Sequence, residues 1–363
     1  MRSIRPLLLC LAAAFSPAAL LSASDVTKAL NATLTGADAA NFSVENLAGT
    51  MRISPGTEGT VTVAVTVHAE SKTLADGMRL ERLEGDAGAA VLRVRYPEGV
   101  GTIHYRAPAD EDTYQFSLGL DFSSSTYHYD GRNYRIASNH GKRLWADVEV
   151  RVPPRLDRAR FQNIAGLVEA EGVEGNLRFD VASADMRLRR LGGDLSFGGS
   201  SGDIKASDIR GNWKSDFSSG DCELDHFDGD ALSLRTSSGD IKATSVRAGL
   251  VRIDTSSGDV SFEKADLVEF RGEASSGDFL LETEGSRLKE VHTHTSSGDV
   301  RLRLPRDASF EATADQSSGD MDVGFKDGQA TLHRDKLVAY RRGSGGTRIL
   351  VETSSGDLEI SPR

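Results

Sequence analysis

Thr236 to Thr244 reads TSSGDIKAT, and the rows that follow return it with small changes, as TSSGDVSFE from Thr255, ASSGDFLLE from Ala274 and TSSGDVRLR from Thr295. The tetrad Ser-Ser-Gly-Asp occurs eight times. Its glycines are Gly202, Gly220, Gly239, Gly258, Gly277, Gly298, Gly319 and Gly356, and its aspartates are Asp203, Asp221, Asp240, Asp259, Asp278, Asp299, Asp320 and Asp357. Successive aspartates lie 18, 19, 19, 19, 21, 21 and 37 residues apart, and a degenerate copy, VASADMRL, puts Asp185 another 18 upstream. A fixed period near 19 residues predicts stacked coils. The gap of 37 reads as two coils, one of which has lost its motif.

The residues around each aspartate say what the coils are made of. The next residue is Met186, Ile204, Cys222, Ile241, Val260, Phe279, Val300, Met321 or Leu358, and two further on stand Ala206, Leu224, Ala243, Phe262, Leu281, Leu302, Val323 and Ile360. This alternation is that of a strand with one buried face, and it excludes helix. A second strand is marked eight residues before the aspartate by Leu177, Leu195, Trp213, Leu232, Val251, Phe270, Val291, Ala312 and Ile349. The fold class expected is all-β: a parallel β-solenoid (β-helix or β-roll-like) with two short strands per coil, equivalent strands stacking at about 4.8 Å. Proline agrees, since strands inside such a stack need their N–H groups; Pro305 is the one proline between Ala165 and Ser361.

In this frame the tetrad falls where one strand ends and the next begins. Glycine supplies the positive φ of a tight corner, and Ser and Asp side chains can bond corner N–H groups. A row of carboxylates one coil apart repels itself, by roughly 1 kcal/mol per neighbouring pair in water and about 3 to 4 at an effective dielectric of 20. Backbone N–H donors would offset this, and so would calcium held between coils. The calcium roll places its apolar residue two after the aspartate and carries more glycine, whereas here the apolar residue follows directly. The corner reading is therefore preferred, with no cofactor expected and calcium the rival.

The outward positions hold acid beside base. Asp180, Asp216, Asp254, Glu273, Asp315 and Glu352 lie five before their aspartates, and Arg178, Lys214, Arg252 and Arg271 lie seven before. Such exposed pairs contribute about 0–1 kcal/mol each and leave a solvated polar face.

The first 23 residues, MRSIRPLLLCLAAAFSPAALLSA, have Arg2 and Arg5, an apolar run and a small-residue end, the pattern of a cleaved signal peptide. Leu9 before Cys10 is too bulky for a lipoprotein signal. Export to the periplasm, cell envelope or outside is expected, and no segment is long and apolar enough for a transmembrane helix. Removing this leader takes the formal net charge from -11 to -13. Acidic, scattered charge disfavours nucleic acid. Cys222 alone remains, so no internal disulfide can form.

Few residues suggest chemistry. His292 and His294 share a face, but no third metal ligand accompanies them. Cys222 stands where sister coils have Ile, Val or Met and reads as core. No Gly-x-Ser-x-Gly elbow occurs. No catalytic residues are assigned. Five of the seven tyrosines lie between Tyr105 and Tyr134, with a turn at Asp130-Gly131. Tyr114, Tyr127, Tyr129 and Tyr134 are candidates for a ligand-contacting tip; the alternative is an amphipathic hairpin packed on the solenoid.

Trp145–Gly193, WADVEVRVPPRLDRARFQNIAGLVEAEGVEGNLRFDVASADMRLRRLGG, then the Ser-Ser-Gly-Asp coils and the closing GSGGTRILVETSSGDLEI, resemble the bacterial putative-adhesin domain of unknown function. The resemblance covers nearly all of the mature chain and implies an exported or envelope-facing β-solenoid, without catalytic residues to carry over. The expected layout is a signal peptide at 1–23, a less regular β region at 24–154 that caps one end and carries a tyrosine-rich insertion at about 105–134, and regular coils at 155–363 ending at EISPR. The expected function is a non-enzymatic adhesin-like or envelope scaffold that binds protein or glycan. The rivals are a calcium-stabilised roll and a carbohydrate-active β-helix enzyme.

Overall fold

The computed structural model describes residues 26–105 and 125–363; residues 1–23, expected to be a signal peptide, and Tyr114 lie outside them. The chain is all-β, and its strands join into one large, mostly parallel sheet. Among the described residues no helix is long and apolar enough to cross a membrane.

Each central coil is one continuous strand, such as Ile241–Ser257 or Val260–Ser276, paired parallel with its neighbours so that Ile241 faces Val260 and Ser257 faces Ser276. The strand breaks at Gly-Asp and bends again five residues later. There, Arg190, Asp208, His226, Ser245 and Lys264 take positive φ between 51 and 57°. This second bend creates a further inward stretch beyond the two rows read from sequence. In the Ile241–Ser257 coil, Ile241 and Ala243 point inward before the bend, Val246 and Ala248 after it, then Val251, Ile253 and Thr255. Aromatic rings stack up the interior: Phe161, Phe179, Phe197 and Trp213 follow one another at centroid distances of 5.4, 5.2 and 4.2 Å.

The Gly-Asp corner shows why the tetrad recurs. Gly239 has φ 124°, and a Cβ there would sit 2.2 Å from the carbonyl oxygen of Gly220 in the coil below. Only glycine lets successive corners nest so closely. Beside it, each aspartate Oδ1 accepts the backbone N–H of the next aspartate in the stack at 2.8–3.1 Å, from Asp185 through Asp203, Asp221, Asp240, Asp259, Asp278 and Asp299. These charge-assisted bonds offset the repulsion along the row.

Above Asp299 the spatial order departs from the sequence. Asp357, not Asp320, donates to Asp299 at 3.0 Å, and Asp320 then donates to Asp357 at 2.8 Å. The coil Thr347–Ser355 lies between Glu290–Ser297 and Phe310–Ser318, parallel to both. The 37-residue gap is therefore not a coil that lost its motif. It holds an antiparallel hairpin, Gln329–His333 with Lys336–Arg342, whose second strand pairs with residues 310–313. The hairpin lets the chain step over one coil and return beneath it. Likewise EISPR does not end the stack: Leu358–Pro362 is sandwiched between Val300–Leu304 and Met321–Val323, and Arg363 pairs with Glu282 and Glu284. Lys336 closes the outermost corner, donating to Gly319 O at 3.1 Å and lying 3.4 Å from Asp320 Oδ1.

At the other end Asn41–Pro55 already behaves as a coil, parallel to Arg155–Glu171. Antiparallel strands Val26–Thr35, Thr60–Ala69 and Lys142–Val152 follow, the last pairing parallel with residues 51–55. In this part the aspartate register holds Leu167 and Thr50, and Thr50 N donates to Asp147 Oδ1 at 2.9 Å; four residues earlier a buried amide pair forms, Asn46 Nδ2 donating to Asn163 Oδ1 at 3.0 Å.

Three outcomes test this architecture. Gly239→Ala should lower unfolding free energy by at least about 3 kcal/mol in urea titration, while Ser237→Ala, on the exposed flank, should stay within about 0.5. In hydrogen exchange, the amides of Ile349 to Thr353 should be protected as well as those of Val251 to Thr255; a terminal coil stacked in chain order would fray instead. Asp185 is 6% exposed, and burial pushes its carboxyl from the ordinary 3.8 up to about 6, with Asp203 adding repulsion and its N–H opposing. The folded state thus holds a proton that the unfolded chain releases near pH 4, so stability falls as pH rises from about 4 to 6. Asp185→Asn keeps the amide acceptor and should flatten that slope, adding on the order of 1–3 kcal/mol at pH 7 in urea titrations across pH.

Candidate functional site

The tyrosine hairpin consists of Ser125–Tyr129 and Arg132–Ala137, turned at Asp130-Gly131, both with positive φ. Tyr127, Tyr129 and Tyr134 share one face, and that face packs inward. Tyr129 is 3% and Tyr134 1% exposed, and with Tyr96 they form an edge-to-face trio at 6.0–6.4 Å. Tyr129 donates to the carbonyls of Val94 at 2.8 Å and Glu45 at 3.1 Å. Tyr127 is half-buried and donates to Ser183 Oγ at 2.6 Å. Burial pushes the Tyr129 and Tyr134 phenols up. Tyr129 and Tyr134 are thus buried against the solenoid, with Tyr127 half-buried beside them. Period two gathers them on one face, and their apolar area is better satisfied against the solenoid than in water. The outward row of the hairpin is polar, with His128 and Asn133 bonded to each other at 3.1 Å.

Asp130, unmarked in the sequence beyond its turn, holds this hairpin down. Burial opposes its charge, yet hydrogen bonds from Arg93 at 2.8 Å and Arg95 at 2.9 Å keep its carboxyl below the usual range. Arg93 also bonds Glu45 at 2.6 Å, which ties the turn to the first coil.

His292 and His294 converge on Glu352 Oε2, at 3.7 and 3.3 Å. The interleaved last coil supplies that glutamate, so sequence distance concealed it. Even so, no group of three or more His, Cys, Asp or Glu suited to a metal occurs among the described residues. Cys222 is buried, and desolvation, with Asp221 and Glu223 nearby, pushes its thiol up to about 12, leaving it a core side chain without nucleophilic character at neutral pH. The outward rows pair as their residue types suggest: Arg235 with Asp254 at 3.0 Å, Arg252 with Glu273 at 3.4 Å, Arg178 with Asp180 at 2.9 Å.

One concavity lies where the coils lose their regularity. In the two 21-residue coils, segments 284–289 and 305–309 leave the stack, and with Gly346 and Thr347 they enclose a cleft of ≈ 630 Å³. Its floor includes Val268, Leu288, Leu304 and Pro305; its rim includes Ser286, Arg287, Lys289, Asp307 and Ser309. The walls are tied down. Glu284 N bonds Ala265 O at 2.9 Å, Lys289 N bonds Val268 O at 2.8 Å, and Thr347 Oγ1 donates to Leu288 O at 2.7 Å. Arg287 Nη1 reaches Asp266 Oδ2 at 3.1 Å. In the sequence, the two 21-residue spacings and Pro305 are the signal that marks this cleft.

No curated protein matches the chain. Among solved structures, similarities include a "putative lipid binding protein" from Parabacteroides distasonis, at 16% identity over 76% of this chain and 92% of that one, with TM-score 0.39. A "putative adhesin" from the same organism is 12% identical over 91% and 97%, with TM-score 0.37. Another from Bacteroides fragilis is 10% identical over 92% and 97%, with TM-score 0.31. These likenesses are too distant to bear on function. Residues 193–361 match the family described as Toastrack DUF4097, so the part of the chain that carries the Ser-Ser-Gly-Asp coils is similar to that domain of unknown function, with which its all-β solenoid is consistent.

Proposed function

We propose that the protein is an exported, non-enzymatic, adhesin-like scaffold that binds a protein or glycan partner at the cell envelope. The observation that carries this reading is how the aspartate row is used. Eight of its carboxylates are bonded to backbone amides of the next corner, so the repeated motif serves the stack itself. What remains for partners is a long surface of paired charges and the cleft between residues 284–289 and 305–309. The stretch 1–23, with two arginines, an apolar run and a small-residue end, supports export.

Two measurements check this. The full mature chain should bind a washed cell-envelope fraction saturably and release no soluble sugar from it; absence of binding, or steady release of reducing ends, would overturn the reading. Because amides occupy the aspartate row, a chelator should leave the melting temperature unchanged within about 1 °C, whereas a large fall would favour the calcium-stabilised roll.

A further inference from the structure

Within the binding-scaffold reading, on which this inference rests, we infer that the cleft between residues 284–289 and 305–309 is a saccharide site, taking a short neutral glycan of one or two rings. Its volume, ≈ 630 Å³, lies in the range of small-molecule sites. More telling is the polar chemistry left over. Thr283 lines the cleft, is 1% exposed, and its Oγ1 has no hydrogen-bond partner among the described residues. Asp266 stands behind this wall, holding Arg287 through Oδ2 at 3.1 Å with its Oδ1 packed against Gly285. Buried polar atoms are nearly always bonded, so an unpartnered hydroxyl in the wall points to a group that reaches in from the cleft.

The ligand must both donate and accept. Thr283 and Ser286 hydroxyls do either, Lys289 offers only donors, and Asp307 only acceptors. A sugar ring matches this mixture, since each hydroxyl is donor and acceptor at once, while its C–H face suits the floor of Val268, Leu288, Leu304 and Pro305. A phosphate or a strongly anionic ligand fits worse. Arg287 is already held by Asp266, and the Asp307 carboxylate on the same rim opposes the charge of Lys289. A long acyl chain fits worse too, because the apolar floor is rimmed by hydroxyls and charges.

The site also explains why only these coils are long. In the regular coils the position five after the aspartate is a left-handed bend residue, as at Ser245 and Lys264, and the strand continues. In the coil of Asp278 that position is Thr283, from which the chain leaves the stack and returns only at Glu290.

Saturation-transfer NMR on the full mature chain, with cellobiose, maltose and chitobiose as probes, tests the assignment. At least one disaccharide should receive saturation, with affinity reduced tenfold or more by Lys289→Ala and abolished by Ser286→Trp, which fills the cleft from an exposed position. Thr283→Val, isosteric and fully buried, should weaken binding at least fivefold while leaving the melting temperature within a few degrees. If no probe binds, or if Ser286→Trp and Lys289→Ala bind as the parent does, the assignment is wrong. The envelope-binding assay separates the two readings: envelope binding without saccharide binding removes the cleft assignment alone, and loss of both removes the scaffold reading with it.

Discussion

Everything in this molecule depends on the close approach of one corner to the next. A glycine carbonyl occupies the space in which the next glycine's Cβ would lie, and beside it an aspartate carboxylate accepts the amide of the next aspartate. The two contacts act together. The missing side chain lets the main chains close to strand spacing, and the carboxylate then finds an N–H at hydrogen-bond distance. A row of like charges that would destabilise an open surface becomes a row of acceptors, and its most buried member, Asp185, retains a carboxyl shifted toward neutrality.

Because every corner presents the same half-contact above and below, the motif fixes how coils stack but not which coil follows which. The last coil can therefore sit between two that precede it in the sequence, provided a connection of suitable reach exists. The hairpin at residues 329–342 is that connection, and it also covers part of the final coil, where an open strand edge would invite pairing with other chains. Lys336 takes the place that another coil's amide would hold beside Asp320.

Along the regular faces of the stack the outward charges largely pair with one another. That regularity fails in the two longer coils, which open a cleft with the unpartnered Thr283 hydroxyl in its wall. Tyr127, Tyr129 and Tyr134 join the N-terminal strands to the solenoid, their hairpin clamped by Asp130 between two arginines.

The repeat period, the alternation after each aspartate and the corner role of Ser-Ser-Gly-Asp were legible because they follow from local geometry: glycine at positive φ, side chains alternating across a strand, and a constant coil length. Cys222 could be placed in the core by its sister positions alone. Other features had no local signature. The second bend is made by Asp, His, Ser, Lys or Arg, residues with no common chemistry, and is set by the neighbouring coils. Alternation showed that Tyr127, Tyr129 and Tyr134 share a face, but only packing decided that the face points inward. The meeting of His292 and His294 with Glu352, and the closing of the cleft by Gly346 and Thr347, required the last coil to enter the stack out of turn. The sequence by itself determined the coil and its corner, since these are properties of a short segment; the order of the coils, and with it every contact between distant segments, was decided by tertiary structure, because identical corners carry no information about their neighbours.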